Sequence, residues 1–248
     1  MHTITKPSKA ILIRVAVDQA YGKWNGPCCP ESGDFVYVPI PQNRTNSHGM
    51  EREYDHLVMP ALQAFSERNA SVVRLPDELA GRRMHLDPDF DCLSYGDTSN
   101  RGRRLRSFSE DDWLVFYSGL RSVSGGPRLV YGLIGLLVVE SVRQVKDIPV
   151  SQYDRNAHTR LHQPCGTDIV VTGKPSISGR FTRYLDIGEF RSRAYRVKKP
   201  LLETWGGLTV NDGWIQRSAN PPLFLEPQSF AEWLSGQGVE VVAANNLI

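Results

Sequence analysis

The segment His85-Leu86-Asp87-Pro88-Asp89 sets one imidazole and two carboxylates at alternate positions of the chain. Alternate residues of an extended segment face the same side, and Pro88 biases Asp87 toward an extended form. Such a set can bind a divalent metal or move protons. The competing reading is a loop whose aspartates cap backbone amides. Further on, Asn156-Ala157-His158 offers a second imidazole as a candidate general base, with Asn156 to orient it or to read a base edge.

Charged and hydroxyl groups suited to anions are scattered along the chain. Arg14 interrupts an apolar run, Ala10 to Val17, and Asp18 follows it. A charge inside a strand is costly unless it is paired or faces a site, and a guanidinium there can grip a phosphate in two places. The alternative is an edge position or a structural ion pair. The loop Gly173-Lys174-Pro175-Ser176-Ile177-Ser178-Gly179-Arg180 can cradle a phosphate on its amides and hydroxyls, or simply join two strands. It lacks the Gly-Lys-Ser/Thr ending of a P-loop. Arginines recur at Arg82-Arg83, from Arg101 to Arg106, and from Arg191 to Lys199, with Phe108, Tyr184 and Tyr195 among them. Arginines contact phosphates and aromatics stack on bases, so a nucleic-acid or nucleotide partner is favoured over ordinary solvated faces.

Other chemistries find less support. Cys28 and Cys29 are adjacent, unlike a zinc knuckle, while Cys92 and Cys165 stand alone. A composite site with His48, His158 or His162 has no spacing to support it, and no metal site or cofactor is assigned. No nucleophile elbow or dinucleotide glycine motif occurs.

These groups need a scaffold. Asp111 to Gly119 reads as an acidic turn entering an apolar strand, and Tyr131 to Glu140 as a second strand with spaced glycines. The pair suggests a small, strongly bent barrel. Further strands are expected at Asp34 to Pro41, Val72 to Leu75, Asp168 to Thr172 and Phe181 to Leu185. Helices are expected over Tyr54 to Arg68, with a start near Pro60, and at Tyr153 to His162, Lys198 to Trp205 and Pro227 to Ser235. Gly96 to Ser107 reads as a mobile loop. Val239 to Ile248 should add a strand and then fray. The result is one α+β domain over residues 1–248: a mixed, mostly antiparallel, PUA-like β-barrel core at about 110–190 with peripheral short helices.

Composition agrees with a folded domain: 248 residues, 40% hydrophobic and 23% charged, with a formal net charge of +2. That charge excludes neither nucleic acid nor a small molecule. The first residues lack the apolar core of a signal peptide, and no apolar run reaches membrane-spanning length. A cytoplasmic setting without a membrane partner is expected.

Arg14-x-x-x-Asp18, Gly26-Pro27, Gly33-Asp34-Phe35, Val38-Pro39-Ile40-Pro41 and His85-Leu86-Asp87-Pro88-Asp89 resemble the third nucleotide-modification-associated domain family. Asp112 to Gly119, Gly132 to Glu140 and Asn156-x-His158 follow in the family's order, so the likeness runs from the first strand to about Arg183. It departs at Tyr21 and Trp24, where small residues are expected, and at Cys28-Cys29. The resemblance implies a role in bacterial or phage systems that further modify DNA bases, with DNA or a nucleotide and other base-modification enzymes as partners. It names no reaction.

The leading expectation is an enzyme acting on a base or nucleotide in a polar cleft. Its catalytic set is Asp18, His85, Asp87, Asp89 and His158. Arg14, Trp24, Tyr117, Ser118, Asn156 and Arg180 would bind substrate. The barrel strands also resemble PUA-like readers, so a non-catalytic reader of modified DNA bases, with a pocket of Trp24, Trp113 and Tyr117, is the alternative. A scaffold role, with Trp205, Trp214 and Trp233 at an interface, is third. An enzyme should gather its acids and histidines in one cleft, whereas a reader should show an aromatic pocket.

Overall fold

The computed structural model describes residues 6–46, 52–216 and 220–248. His48 and the first residues lie outside this range. In chain order the elements are β1 (Ala10–Arg14), β2 (Pro27–Cys28), β3 (Ile40–Pro41), α1 (Tyr54–Arg68), β4 (Met84–His85), β5 (Ser94–Asp97) and α2 (Ser99–Leu105). The long strands β6 (Trp113–Ser122) and β7 (Val130–Gln144) follow, then β8 (Ile169–Gly173), β9 (Gly179–Asp186), β10 (Gly188–Arg191) and β11 (Ala194–Val197). The chain ends with α3 (Lys199–Thr204), α4 (Pro227–Ser235) and β12 (Val241–Val242).

The fold is mixed α+β. Its main sheet has eight strands in which β1 and β2 run parallel to β6 and the other pairings are antiparallel. Strand β7 is the hub. Val130 to Val138 pairs with β6, Gly132 to Leu136 with β9, and Val139 to Gln144 with β8, with a register shift between Val139 and Ser141. Among the described residues these pairings do not close into a ring. The expected barrel strands therefore form an open sheet whose terminal strands are β1, β2, β5 and β12.

Period-two alternation divides the core. Ile11, Ile13, Leu114 and Phe116 face one cluster with α1, Phe35, Tyr37, Phe90 and Tyr95. Ala10, Leu12, Trp113, Val115 and Tyr117 face a second with Trp205, Phe224 and Phe230. The first cluster carries the segments that matter for chemistry. Gly135 lets Phe90 nest against the sheet: a Cβ at that glycine would lie 2.5 Å from the Phe90 ring. The segment around Asp87 and Asp89 is thereby anchored from its apolar side.

Several local expectations are corrected. Helix α1 begins at Tyr54, with Pro60 in its interior. Burial of Tyr54, Val58, Ala61, Leu62 and Phe65 on one face outweighs the missing amide bond at the proline. Asp34 to Pro41 is a strand only at Ile40–Pro41, with one isolated bridge from Phe35 to Cys28, and Val72 to Leu75 forms no strand. The basic stretch expected to be a mobile loop folds as the end of β5 and α2, pinned by buried Leu105. Residues Val150–Arg155 form a 3-10 turn, and Asn156 then returns to extended backbone, so no helix reaches His162. The tail does not fray after β12. Asn245 is buried, and Asn246 exchanges hydrogen bonds with the backbone of Tyr37.

Candidate active site

His85 ends the short strand β4, held against β3 by the pairing of Ile40 with His85. Asp87 follows two residues later. Both line a cleft of about 230 Å³ at the end of β1, with Arg14, Asp18, Tyr21, Tyr95, Asp97, Arg101 and His158. The expected alternation therefore holds for His85 and Asp87. It ends at Asp89, whose backbone exchanges hydrogen bonds with Ser94 to close a turn.

His158 arrives from the irregular segment after Val150–Arg155 and meets Asp87 over the edge of β5. Its Nε2 lies 3.4 Å from Asp87 Oδ2, and its Nδ1 lies 2.7 Å from Asp168 Oδ2. His85 Nε2 lies 3.8 Å from the same Asp87 oxygen, and the two imidazoles meet edge to face with centroids 5.1 Å apart. The other Asp87 oxygen accepts the Gly96 amide at 2.7 Å. His85 Nδ1 is 3.1 Å from Gln42 Nε2, while Gln42 Oε1 accepts the Arg44 amide. In that arrangement His85 Nδ1 is the acceptor, so its proton sits on Nε2.

The charges in the cleft are strongly biased. Burial, followed by the neighbouring His158 charge, lowers His85 to about 3. Burial pulls His158 down as well, but hydrogen bonds and charge from Asp168 and Asp87 outweigh it and hold the imidazolium up to about 10. Burial raises Asp87 to about 6, against the bonds it accepts from His158 and Gly96. Burial alone would raise Asp168, yet its bond from His158 keeps it below its ordinary value. Near neutral pH the cleft thus holds a neutral imidazole, an imidazolium and two carboxylates. It can store, donate and accept a proton at adjacent atoms. His85, Asp87 and His158 also each offer one donor atom within 4.8 Å of the others, close enough to share a metal ion.

The remaining predicted residues divide by position. Arg14 and Asp18 line the cleft and pair at 3.4 Å, and Arg14 also lies over the Tyr131 ring. Asp18 Oδ1 in addition accepts the amides of Ala20 and Tyr21. Asn156 is buried behind His158, accepting its amide and donating to Ser94 Oγ. It orients the loop and does not reach the opening. Asp89 is fully buried away from the cleft lining. One of its oxygens takes Arg160 Nη2 at 2.6 Å and the other the amides of Asp91 and Cys92 and the Asn245 carboxamide.

Arg180 is fully buried as well. It lies over the Phe35 ring and donates to the carbonyls of Phe35 and Phe181, so its charge is spent inside the fold. The loop before it behaves as a strand connection. The Gly173 and Lys174 amides bond to Leu93 and Val138, and Lys174 Nζ pairs with Glu110 and Asp111. Tyr117 points into the second core, its hydroxyl donating to the Ile215 carbonyl, and Ser118 is buried. Trp24 packs against the first core and does not line the cleft.

The profile of the family described as nucleotide modification associated domain 3 matches residues 9–202. The chain belongs to this family. The matched span includes every residue that lines the cleft, from Arg14 to His158. It stops before α4 and the tail, so Asn245, which buttresses the Asp89 turn, comes from outside the family match. No curated protein and no solved structure matches the chain.

Sequence reasoning did not single out Asp168, Gly96, Asp97, Gln42, Arg160 or Asn245 for the site. A signal existed for Arg160, two residues after His158, and for Asp168, which directly precedes the apolar strand β8. Nothing local marks Asn245. Among the described residues no helix is long and apolar enough to cross a membrane.

Proposed function

We propose that the protein takes part in the modification of a nucleotide or a nucleic-acid base, with Asp87, His85 and His158 as acid–base groups that move the protons of a reaction in the cleft. Asp87 and His158 are the proton-handling pair. His85 presents a neutral N–H toward the same point, and Asp168 positions His158. Arg14 and Arg101 sit at the rim, where they can receive a phosphate. The cleft is smaller than the roughly 300–1,000 Å³ of sites that enclose a drug-sized ligand, which suits one base or phosphate with the rest of the nucleotide outside.

The observation that carries this reading is the convergence of His85, Asp87, His158 and Asp18 on one opening, from separate parts of the chain. Membership of a nucleotide-modification-associated family supports a nucleotide or base as the substrate class. The rival reading, a PUA-like reader of modified bases, calls for an aromatic pocket. The aromatic side chains lining this cleft are Tyr21 and Tyr95, whereas Trp113 and Tyr117 are buried in the second core.

The test is mass spectrometry of nucleosides from DNA and nucleotide pools of cells making the intact protein or Asp87→Asn. A nucleoside present with the intact protein and lost in the variant is the expected result. Identical nucleosides in both, with the variant folded, would sink the proposal.

A further inference from the structure

The ligand geometry of this cleft goes further than proton transfer. We propose that His85, Asp87 and His158 are the protein ligands of one divalent first-row transition-metal ion, with its remaining positions open to the cleft. The proposal does not depend on a nucleotide being the substrate; in the metal-loaded protein these three side chains hold the ion, and the proton-transfer roles given above belong to the metal-free protein.

Three observations carry it. First, the donor atoms face each other at a suitable spacing. Two ligands each about 2.0–2.1 Å from a tetrahedral ion lie roughly 3.3 Å apart. The two imidazole Nε2 atoms lie 3.4 and 3.8 Å from Asp87 Oδ2. Closing the second gap needs a movement of a few tenths of an ångström.

Second, each ligand has its other polar atom held from behind. Asp168 holds His158 Nδ1, Gln42 holds His85 Nδ1, and the Gly96 amide holds Asp87 Oδ1. A carboxylate on the outer nitrogen of a histidine is the usual support of a metal-bound imidazole, fixing its tautomer and raising its basicity. The positions of the ligand side chains are therefore set before any ion arrives, while their protons are not.

Third, the donor set selects the ion. Calcium and magnesium are held by oxygen ligands. Two imidazoles with one carboxylate suit zinc, iron, cobalt or nickel, and three protein ligands leave room for water or substrate.

Two local changes must accompany binding. His158 must release its Nε2 proton to solvent while keeping the Nδ1 proton that Asp168 holds. The ion also needs the lone pair of His85 Nε2, so the proton there must move to Nδ1. Gln42 then turns its carboxamide to accept that proton through Oε1, giving up the Arg44 amide at 3.1 Å in an exposed stretch.

The experiment uses untagged full-length protein stripped with a chelator and titrated with Co²⁺, followed by visible absorption and calorimetry. One ion per chain is expected. His85→Ala and His158→Ala should each lose it, whereas His56→Ala, whose side chain is 74% exposed elsewhere, should not. Asp168→Asn should weaken binding by about 10–100-fold. Because His158→Ala can disorder its loop, a second readout is the rise in Tm of the wild-type protein with added Zn²⁺, absent in a folded His85→Ala variant. No saturable binding in the stripped wild-type protein, or binding that survives in both histidine variants, overturns the proposal. Binding of nucleoside monophosphates to the metal-free protein is measured in parallel. Failure there with metal binding intact would count against the nucleotide reading alone.

Discussion

Gly96 and His158 occupy positions that cannot both carry a full side chain. A Cβ on Gly96 would lie 2.4 Å from His158 Cδ2 and 2.8 Å from Asn156 Oδ1. The missing side chain lets the imidazole lie across β5, and the Gly96 amide meanwhile fixes Asp87. One glycine therefore sets the separation of the two groups that share the proton. Gly96→Ala should push His158 out of line with Asp87. Overpacking of this kind costs about 1–3 kcal/mol, so the fold should survive with a lowered Tm. Any modifying activity should fall far more steeply than stability does. Thermal unfolding and nucleoside analysis on the same variant check this, and unchanged activity would mean that His158 is not positioned for chemistry.

The two histidines should titrate in opposite directions. Burial lowers His85 to about 3, while the carboxylates of Asp168 and Asp87 hold His158 up to about 10 despite burial. In metal-free protein at pH 7, nitrogen-resolved imidazole spectra should show His85 neutral with its proton on Nε2 and His158 protonated on both nitrogens. Raising the pH should deprotonate His158 only well into the alkaline range. In Asp87→Asn one of its two anionic neighbours is gone, so His158 should lose its proton at lower pH than in the wild-type protein. A His158 signal that titrates near the ordinary histidine value in both proteins would contradict the charge arrangement.

How much of this site is legible in the sequence depends on the distance over which each contact is made. His85 and Asp87 are two residues apart in an extended segment, so alternation alone puts them on one side. The same rule fails at Asp89, because the backbone pairing of Asp89 with Ser94 turns the chain away, and no single-residue pattern reports that closure. Arg14 could be flagged by its cost in an apolar strand, and it does reach the cleft. Arg180 is expected to bind substrate because it closes a loop suited to phosphate, yet its guanidinium is satisfied by carbonyls and an aromatic face that only the folded sheet brings near. The α4 helix and the long strands follow from period and propensity. The closed barrel does not, because closure depends on which edges pair.

Asp89 and Arg160 should matter to stability more than to chemistry. The pair is buried, with side chains 0% and 3% exposed, and Arg160 Nε also donates to the Asp154 carbonyl. It ties the turn after Asp87 to the loop bearing His158. Removing one partner of a buried ion pair strands the other charge, at a cost of about 3–5 kcal/mol. Asp89→Asn and Arg160→Met should each lose that order of stability in denaturant unfolding. The double variant should lose less than the sum of the two, since no unpaired charge remains. Additive losses would show that the two residues do not act as a pair.

Asn245 ties the tail to the same turn. Its Oδ1 accepts the Phe90 amide at 2.8 Å, its Nδ2 donates to Asp89 Oδ1 at 3.0 Å, and its own amide donates to Asp91. The Phe90 amide is buried beside the ring that packs under Gly135, so water cannot easily replace the carboxamide. Leaving a buried group unsatisfied costs about 1–3 kcal/mol, and Asn245→Ala should destabilise by that amount. Asn245→Asp keeps the acceptor for Phe90 but faces Asp89 with a second carboxylate in a buried place, so it should be worse than alanine at pH 7. Its deficit should shrink as the pH falls and the added acid takes up a proton that can be donated to Asp89. Denaturant unfolding of both variants at pH 7 and pH 5 measures this. An aspartate variant as stable as the wild-type protein at pH 7 would mean that the tail does not close over the Asp89 turn.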